Sequence, residues 1–256
     1  MNLQMDVEWA VGYTNPSQRI RAMSEKWLAE NGYCPTCGGV LIAAKPNAEV
    51  CDFECAPCAH EFELKSQRAI KPLARVCDGA YSSMMKRIAE PNNPHFFFMG
   101  YDPTFRVAQL MAVPNYLFQA SAIQARKPLK PTARRAGWIG CNIILDQIPE
   151  IGKIKLVENG SVVSPDAVMK KWQKTAFLSQ EKLLAVRGWT LDILKCIERL
   201  KTKDFKLDSI YAFEPELTLK YPQNRFIKDK IRQQLQVLRD RGYLEFVSPG
   251  KYKLAE

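Results

Sequence analysis

The amino-acid sequence predicts a mixed α/β domain followed by a small winged helix-turn-helix domain, and three observations support this division. Through the first 183 residues, strand-like segments alternate with segments of helical periodicity. From about residue 184 this alternation stops, and three helical patterns precede two short strand patterns. At 256 residues and 46% hydrophobic content, the chain is long enough for two packed cores. We therefore predict one domain over residues 1–183 and a second over residues 184–256.

Charge and hydropathy narrow the classes of function. The net charge is +10, and residues 184–256 alone carry 15 basic and 10 acidic side chains. A basic excess shared between two domains suits a polyanionic partner that contacts both. The chain has no run of about 18 apolar residues and does not open on a basic segment followed by an apolar one, so we expect neither a membrane span nor a secretory signal.

The first domain is expected to begin with a helix and a β-hairpin. Asn15 is a suitable N-cap for a helix with Pro16 in its first turn, and Gly32 can end that helix. Residues 50–54 and 61–65 have the composition of two strands separated by a tight turn. The helix has one apolar face, formed by Ile20, Met23, Trp27 and Leu28.

Four cysteines are arranged as a metal site. Cys34-Pro35-Thr36-Cys37 precedes the hairpin, and Cys55-Ala56-Pro57-Cys58 lies in its turn. This spacing is typical of a structural Zn²⁺ site with four thiolates, which leaves no open position for a substrate. His60 is the alternative ligand. Because eight cysteines occur without a secretory signal, we expect a reducing, cytoplasmic environment and no disulfides.

The same hairpin carries a set of charged residues. Side chains alternate along a strand, so Glu63 and Lys65 share one face, and Asp52 lies on the neighbouring strand. Carboxylate and carbonyl oxygens are the ligands that Mg²⁺ prefers, which makes Asp52, Glu63 and the carbonyl of Leu64 candidate ligands. Lys65 would orient or activate a water and offset negative charge, as a phosphodiesterase requires. The alternative is a surface charge cluster, and the acidic residues that would substitute in another register are Glu54 and Glu61.

A basic loop is predicted later in the first domain. We expect a helix over residues 78–87 and strands over residues 94–99 and 107–113. Residues 126–138 differ, because two prolines exclude a regular helix there. Its cations can bind phosphates, and its tryptophan can offer a flat face to a base; a solvated loop with a core tryptophan is the alternative. The predicted nucleic-acid contacts in this loop are Arg126, Lys127, Arg134, Arg135 and Trp138.

The second domain has the pattern of a winged helix-turn-helix. Thr190 can cap a first helix, residues 208–213 predict a second, and residues 226–241 predict a third that ends at Gly242. Strand patterns at residues 243–247 and 252–254 form the wing. The third helix is expected to face outward with Lys228, Lys230, Arg232, Gln233, Gln234 and Gln236. Arginine and glutamine pair well with base edges, although a protein-binding winged helix is the alternative. Of the outward residues, the predicted DNA contacts are Lys228, Arg232, Gln233 and Gln236.

Several long runs of residues give the chain a family resemblance. The most specific are Glu61-Phe62-Glu63-Leu64-Lys65-Ser66, Asp78-Gly79-Ala80-Tyr81, Pro131-Thr132-Ala133-Arg134-Arg135-Ala136-Gly137-Trp138, and Lys230-Ile231-Arg232-Gln233-Gln234-Leu235-Gln236. With these runs the chain resembles the DpnI-type methyl-directed type II restriction endonucleases over nearly its whole length.

The resemblance implies both a fold and an activity. The fold is a PD-(D/E)xK nuclease domain with an embedded zinc site, followed by a winged helix. The activity is cleavage of double-stranded DNA at GATC sites whose adenine carries an N6-methyl group. It further implies a bacterial cytoplasmic enzyme with no membrane and no obligatory protein partner. By motif, the catalytic trio becomes Asp52, Glu63 and Lys65, and the zinc ligands become Cys34, Cys37, Cys55 and Cys58.

Two points follow for recognition and for the competing hypotheses. A methyl group carries no charge, so it must be sensed by shape and apolar contact; Trp138, beside the small Ala136 and Gly137, is the best candidate in the first domain. The competing hypotheses are a non-cleaving zinc-containing winged-helix DNA-binding regulator and a structural or RNA-associated zinc protein.

Overall fold

A computed structural model describes residues 1–44, 51–69, 71–90, 93–179 and 184–255, with the backbone alone for residues 184–186. The chain forms two compact units, Met1–Thr175 and Ala176–Glu256. The predicted order, a mixed α/β domain followed by a smaller helical domain with a wing, is confirmed. The domain boundary at residues 183 and 184 stays a prediction. Within the described residues, no helix is both long and apolar enough to span a membrane.

In the described residues the first unit contains two sheets. Its helices and strands are α1 (Pro16–Asn31), β1 (Leu41–Ala43), β2 (Phe53–Cys55), β3 (Glu61–Arg68), β4 (Arg75–Ala80), α2 (Tyr81–Ala89), β5 (His95–Tyr101), β6 (Val107–Val113), β7 (Ile123–Ala125), β8 (Gly140–Ile144), β9 (Ile154–Glu158), β10 (Ser161–Val162) and α3 (Pro165–Gln173). Seven of these strands form the larger sheet in the order β1-β2-β3-β5-β6-β9-β10, and the smaller sheet has the order β4-β8-β7. In the larger sheet β3 and β5 run parallel, and the other neighbouring strands run antiparallel.

Helix α1 has the predicted ends. The side chain of Asn15 accepts a hydrogen bond from the N–H of Ser17, and Gly32 is the C-cap. The predicted apolar face of α1 packs into the core of the first unit. In that core, the indole N–H of Trp27 donates to the carbonyl of Asn2 at 2.8 Å. Helix α1 is thereby held against the sheet beside β1 and β3.

Strand β5 lies at the centre of the larger sheet, and all of its residues are buried. The Phe97 ring contacts the Phe62 ring with centroids 4.9 Å apart. On the opposite face, the rings of Phe96 and Phe98 stack with centroids 5.8 Å apart. A strand covered on both faces needs a continuous apolar run, which is why residues 94–99 were recognisable in the sequence. This strand and the one over residues 107–113, now β6, are confirmed.

The helix predicted over residues 78–87 is wrong in its first part. Residues up to Ala80 belong to β4, which pairs with β8, and α2 begins at Tyr81. Pairing with a strand some 60 residues later in the chain overrides the local pattern, because strand formation depends strongly on tertiary context. Asp78 therefore lies in a strand and not in the predicted helix. The extended loop predicted over residues 126–138 is confirmed as the irregular connection from β7 to β8.

The second unit has the predicted wing and two elements that the sequence reading missed. Its elements are α4 (Leu184–Leu200), β11 (Asp204–Lys206), α5 (Leu207–Tyr211), α6 (Glu214–Lys220), α7 (Ile227–Asp240), β12 (Leu244–Ser248) and β13 (Lys251–Leu254). The sheet order is β11-β13-β12, so β11 adds a strand to the wing. Helix α6 was also not predicted. Gly242 has φ of 71° and donates to the carbonyl of Arg239 at 2.8 Å, which ends α7 as expected.

Two expectations for this unit are wrong. Thr190 is not an N-cap, because α4 starts at Leu184. Gln234 does not point outward. It is only 1% exposed, and its side-chain Oε1 accepts a hydrogen bond from the Thr190 hydroxyl at 2.6 Å. Position 234 adjoins the buried Ile231 and Leu235 on α7, so it falls on the face that packs against α4.

Thr190→Val tests the importance of this buried hydrogen bond. Valine has nearly the shape of threonine but no hydroxyl, so the buried Oε1 of Gln234 loses this donor. We expect the free energy of unfolding to fall by about 1–3 kcal/mol in urea denaturation. Thr190→Ser keeps the hydroxyl and should retain most of the stability; equal losses in the two variants would contradict the role of the hydrogen bond.

Candidate active site and metal centre

The hairpin of β2 and β3 brings Asp52 beside Glu63. Asp52 lies one residue before β2, not within it, and residue 50 of the predicted strand lies outside the described residues. The N–H of Asp52 donates to the carbonyl of Phe62 at 2.9 Å, which extends the antiparallel ladder by one step. In return, Oδ2 of Asp52 accepts from the N–H of Leu64 at 2.8 Å. Backbone pairing therefore fixes the position of this carboxylate.

Helix α1 places two charged side chains, Arg21 and Glu25, beside Asp52. Nη2 of Arg21 lies 3.3 Å from Oδ1 of Asp52, and Nε of Arg21 lies 2.5 Å from Oε1 of Glu25. Burial raises the pKa of Glu25, and the nearby guanidinium of Arg21 partly offsets that effect. The sequence reading did not single out these two residues, because charged residues on the polar side of an amphipathic helix are ordinary.

Lys65 lies between two carboxylates. Its Nζ is 2.6 Å from Oε1 of Glu63 and 2.5 Å from Oδ1 of Asp78. Arg87, on α2, places Nη1 3.2 Å from the second oxygen of Glu63. Burial lowers the pKa of Lys65, but the two carboxylates outweigh it and the net direction is upward. Lys65 is therefore an ammonium at neutral pH, suited to stabilising negative charge and orienting a water rather than to removing a proton.

Several of these groups line one cleft of about 370 Å³. Asp52, Glu63 and Lys65 form part of its lining, and the polar face of α1 forms another part. A water occupies about 30 Å³ in the liquid, so the cleft has room for a phosphodiester group with hydrated ions. Among the residues that the structure describes, Glu54 and Glu61 are not part of the lining. The register that brings Asp52 to Glu63 is thus the one that forms the cleft.

The four predicted cysteines converge at the other end of the hairpin. Their sulfur atoms all lie within 4.8 Å of one another. The contacts are 3.6 Å from Cys34 to Cys58, 3.4 Å from Cys37 to Cys55 and 3.4 Å from Cys37 to Cys58. A tetrahedral site with Zn–S bonds of about 2.3 Å requires S–S separations of about 3.8 Å. The cluster therefore fits Zn²⁺ with a small adjustment, and its soft donors do not suit Mg²⁺.

His60 supports this cluster from outside. Its Nδ1 lies 3.1 Å from the sulfur of Cys58, and burial lowers its pKa. Its ring stands 5.1 Å from the ring of His95, whose Nδ1 accepts the N–H of Asn115. Among the described residues, the group of side chains that could hold a metal ion consists of the four cysteines and does not include His60. A neutral imidazole in contact with a ligand sulfur can orient that ligand.

The basic loop is a folded turn with an aromatic centre. The N–H of Leu129 donates to the carbonyl of Trp138 at 3.0 Å, which holds the two arms together. Trp138 is half-buried, its ring lies against Gly140, and the guanidinium carbon of Arg135 stands 4.6 Å from its ring centroid. Trp138 is thus neither a core residue nor a fully exposed one. The exposed predicted contacts in this loop are Arg126, Lys127, Arg134 and Arg135.

Helix α7 presents the remaining predicted contacts along one exposed row. Lys228, Arg232 and Gln236 follow one another at intervals of four residues, and Gln233 lies beside them. Nζ of Lys228 is 3.4 Å from a carboxylate oxygen of Glu214, and Arg232 pairs with Asp229 on its own helix. The row is opposite the apolar face that packs into the unit, as in a recognition helix.

The structure adds residues to the site that the sequence reading missed. Asp78 was assigned to a helix, and an Asp-Gly pair is more typical of a turn than of a strand. Arg87 lies at the end of the helix predicted over residues 78–87, and the sequence predicts no role for it. The one signal that could have found Asp78 was its place among the runs that carry the family resemblance.

Two family models match the chain. The model for DpnI, the Dam-replacing family, matches residues 1–181, and the model for the Dam-replacing HTH domain matches residues 185–254. The first match alone covers more than half of the chain. The resemblance seen in the sequence is confirmed, and the matched order of a nuclease-family domain and a helix-turn-helix domain agrees with the observed fold.

Cys55→Ser tests the metal centre. We expect purified wild-type protein to hold one tightly bound zinc per chain, and the variant to lose it because one of four thiolates is gone. Metal binding contributes folding free energy, so the melting temperature should fall with the zinc content. Cys77→Ser, an exposed cysteine outside the cluster, is the matched control and should keep its zinc. Elemental analysis showing no zinc in folded wild-type protein would end this claim.

Proposed function

The chain belongs to the DpnI-type Dam-replacing family, and from this premise we propose that it is a Mg²⁺-dependent type II restriction endonuclease that cleaves double-stranded DNA at adenine-methylated GATC sites. Family membership implies a nuclease and a DNA-binding domain. The catalytic site and its metal are proposals that the geometry supports, and the observation that carries them is the convergence of Asp52, Glu63 and Lys65 on one cleft. The recognition sequence and the methyl dependence are proposals that rest on the family.

Asp52 and Glu63 would hold the catalytic Mg²⁺ through their carboxylate oxygens. Each already has a guanidinium beside it, from Arg21 and Arg87 respectively. The N–H and C=O of a strand residue point to the same edge, so the carbonyl of Leu64 faces the side of Asp52 and can serve as a further ligand. When bound, Mg²⁺ would supply an acidified water and offset the charge that develops on the phosphate.

Cationic side chains of the protein would stabilise the remaining negative charge in the cleft. The ammonium of Lys65 is fixed at the cleft and stabilises negative charge on the reacting phosphate while orienting the attacking water. Arg21 contacts the carboxylate of Asp52, and Arg87 contacts that of Glu63, so each proposed metal ligand has a cation beside it.

The four cysteines would hold a structural Zn²⁺ that fixes the hairpin. Strand β2 spans only three residues and pairs with β3 over two of them. So short a ladder fixes little by itself. A metal across Cys55 and Cys58, at the turn end, would maintain the register that sets Asp52 beside Glu63. We further propose a bacterial cytoplasmic setting, as the family resemblance implies.

Two basic surfaces would contact DNA. The loop of residues 126–138 carries exposed cations for phosphates, and the row of Lys228, Arg232, Gln233 and Gln236 on α7 suits a major groove. We propose that Trp138 offers its indole to one or both N6-methyl groups. Burying one methyl-sized group is worth about 0.8 kcal/mol, less than a tenfold preference, so shape exclusion or the second domain must supply the rest.

Lys65→Ala tests the enzyme assignment. We expect cleavage of methylated DNA in Mg²⁺ to fall by about a hundredfold or more, because a charge-stabilising group is lost, while specific DNA binding stays nearly intact. Lys26→Ala, an exposed lysine of α1, is the control and should cleave normally. If the wild-type protein binds the methylated duplex but leaves it intact, the protein is a regulator and not a nuclease. If the Lys65→Ala variant cleaves at near the wild-type rate, Lys65 has no part in the mechanism.

Trp138→Ala tests methyl recognition. We expect a larger loss of activity on methylated DNA than any fall in melting temperature explains, because the apolar face is removed. Trp138→Phe keeps an aromatic face and should retain most of the preference. The measurement is the ratio of cleavage rates on methylated and unmethylated duplexes; a folded alanine variant with full methyl preference would contradict the role of Trp138.

A further inference from the structure

Two carboxylates contact the ammonium of Lys65, and they have different origins. Glu63 lies on β3, as Lys65 does, and under the proposed function its carboxylate oxygens bind a metal ion. Asp78 comes from β4 of the smaller sheet and places Oδ1 2.5 Å from Nζ. Both side chains are largely buried, at 18% exposed for Lys65 and 11% for Asp78. A buried ammonium needs an anionic partner that stays in contact with it. Of the two carboxylates, Glu63 is also the proposed metal ligand, whereas Asp78 has no other proposed role.

The backbone aims Asp78 at this position. The pairing of β4 with β8 has a bulge between Asp78 and Ala80, around Gly79. A bulge redirects a side chain relative to the regular pleat and often occurs beside an active site. The bulge thus adjoins Asp78, whose carboxylate lies 2.5 Å from Nζ of Lys65.

The same strand also leads to the basic loop. Asp78 is in register with Cys141 on β8, and Cys141 is in register with Ala125 on β7. The loop of residues 126–138 connects β7 to β8, and the N–H of Arg126 closes its base on the carbonyl of Gly140 at 2.9 Å. The N–H of Tyr81, the residue that follows β4 and begins α2, donates to the carbonyl of Ile139 at 3.0 Å. Asp78 therefore lies in the cross-strand row that anchors the loop.

We propose that Asp78 is a positioning residue that holds the ammonium of Lys65 over the cleft and ties it to the strands that carry the basic loop. This inference rests on the proposed function. When Glu63 binds a metal, Lys65 loses one of its two carboxylate partners, and Asp78 keeps Nζ directed at the reacting phosphate. Because β4 and the base of the loop share one small sheet, the lysine and the loop that grips the phosphates keep a fixed spacing.

Asp78→Asn in the full-length, zinc-loaded protein tests this role. Asparagine keeps the shape of the side chain and removes its charge. The readouts are the single-turnover cleavage rate on a methylated GATC duplex, the dissociation constant for that duplex with Ca²⁺ in place of Mg²⁺, and the Mg²⁺ concentration at half-maximal rate. We expect the rate to fall by about 10–100-fold, with DNA affinity and Mg²⁺ dependence unchanged.

Two further variants separate charge from structure. Asp78→Glu keeps the carboxylate on a longer stem and should be faster than Asp78→Asn; the reverse order would mean that shape, not charge, matters, and would overturn the proposal. Asp146→Asn, an exposed aspartate just after β8, is the matched control and should cleave at the wild-type rate. If Asp78→Asn does not fold, the glutamate variant carries the test: a folded glutamate variant with no measurable cleavage would overturn the proposal, and partial activity would support it.

The remaining outcomes are also decisive. A shift of about tenfold or more in the Mg²⁺ requirement would make Asp78 a metal ligand, and an unchanged rate would give it no role; both overturn the inference. Failure of the wild-type protein to cleave would instead overturn the proposed function, so the two failures are distinguishable.

Discussion

The antiparallel pairing of β2 with β3 is the constraint on which the site depends. It is short, with two paired positions and a backbone hydrogen bond at each end, from Asp52 to Phe62 and from Cys55 to His60. At one end of it the four cysteine sulfurs converge, and at the other the carboxylates of Asp52 and Glu63 enter the cleft. A slip of one residue would turn the charged face of β3 into the core. Two features oppose such a slip: the aromatic packing of Phe62 on Phe97 and the proposed zinc at the turn.

The cleft also shows how a cluster of opposite charges is kept in place before substrate binds. Each proposed metal-binding carboxylate touches a guanidinium, and the ammonium of Lys65 touches two carboxylates. Partly buried charges are tolerable when they are paired in this way. The same pairing holds these side chains close together, and under the proposed function a cation and a phosphate would replace some of these partners.

Local signals accounted for much of the fold. The N-cap at Asn15, the apolar run of β5 and the glycine after α7 each follow from short-range chemistry, and the structure has all three. The elements that were missed or misplaced depend on distant partners. Strand β4 exists because β8 pairs with it, and Gln234 is buried because Thr190 on α4 offers it a hydroxyl. Neither fact is encoded in a window of neighbouring residues.

The site divides in the same way. The cysteine spacing and the alternation in β3 identify side chains that the structure brings together. Asp78 and Arg87, by contrast, reach Glu63 and Lys65 only through the packing of separate elements, and no local motif marks them.

The most direct test of the central claim is digestion of one plasmid prepared in two forms, with and without N6-methyladenine at its GATC sites. Each form is incubated with the full-length protein in Mg²⁺ and in excess chelator. We predict double-strand cleavage at the GATC sites of the methylated plasmid, and only in the presence of Mg²⁺. Equal cleavage of both plasmids, or binding of the methylated plasmid without cleavage in Mg²⁺, would contradict it.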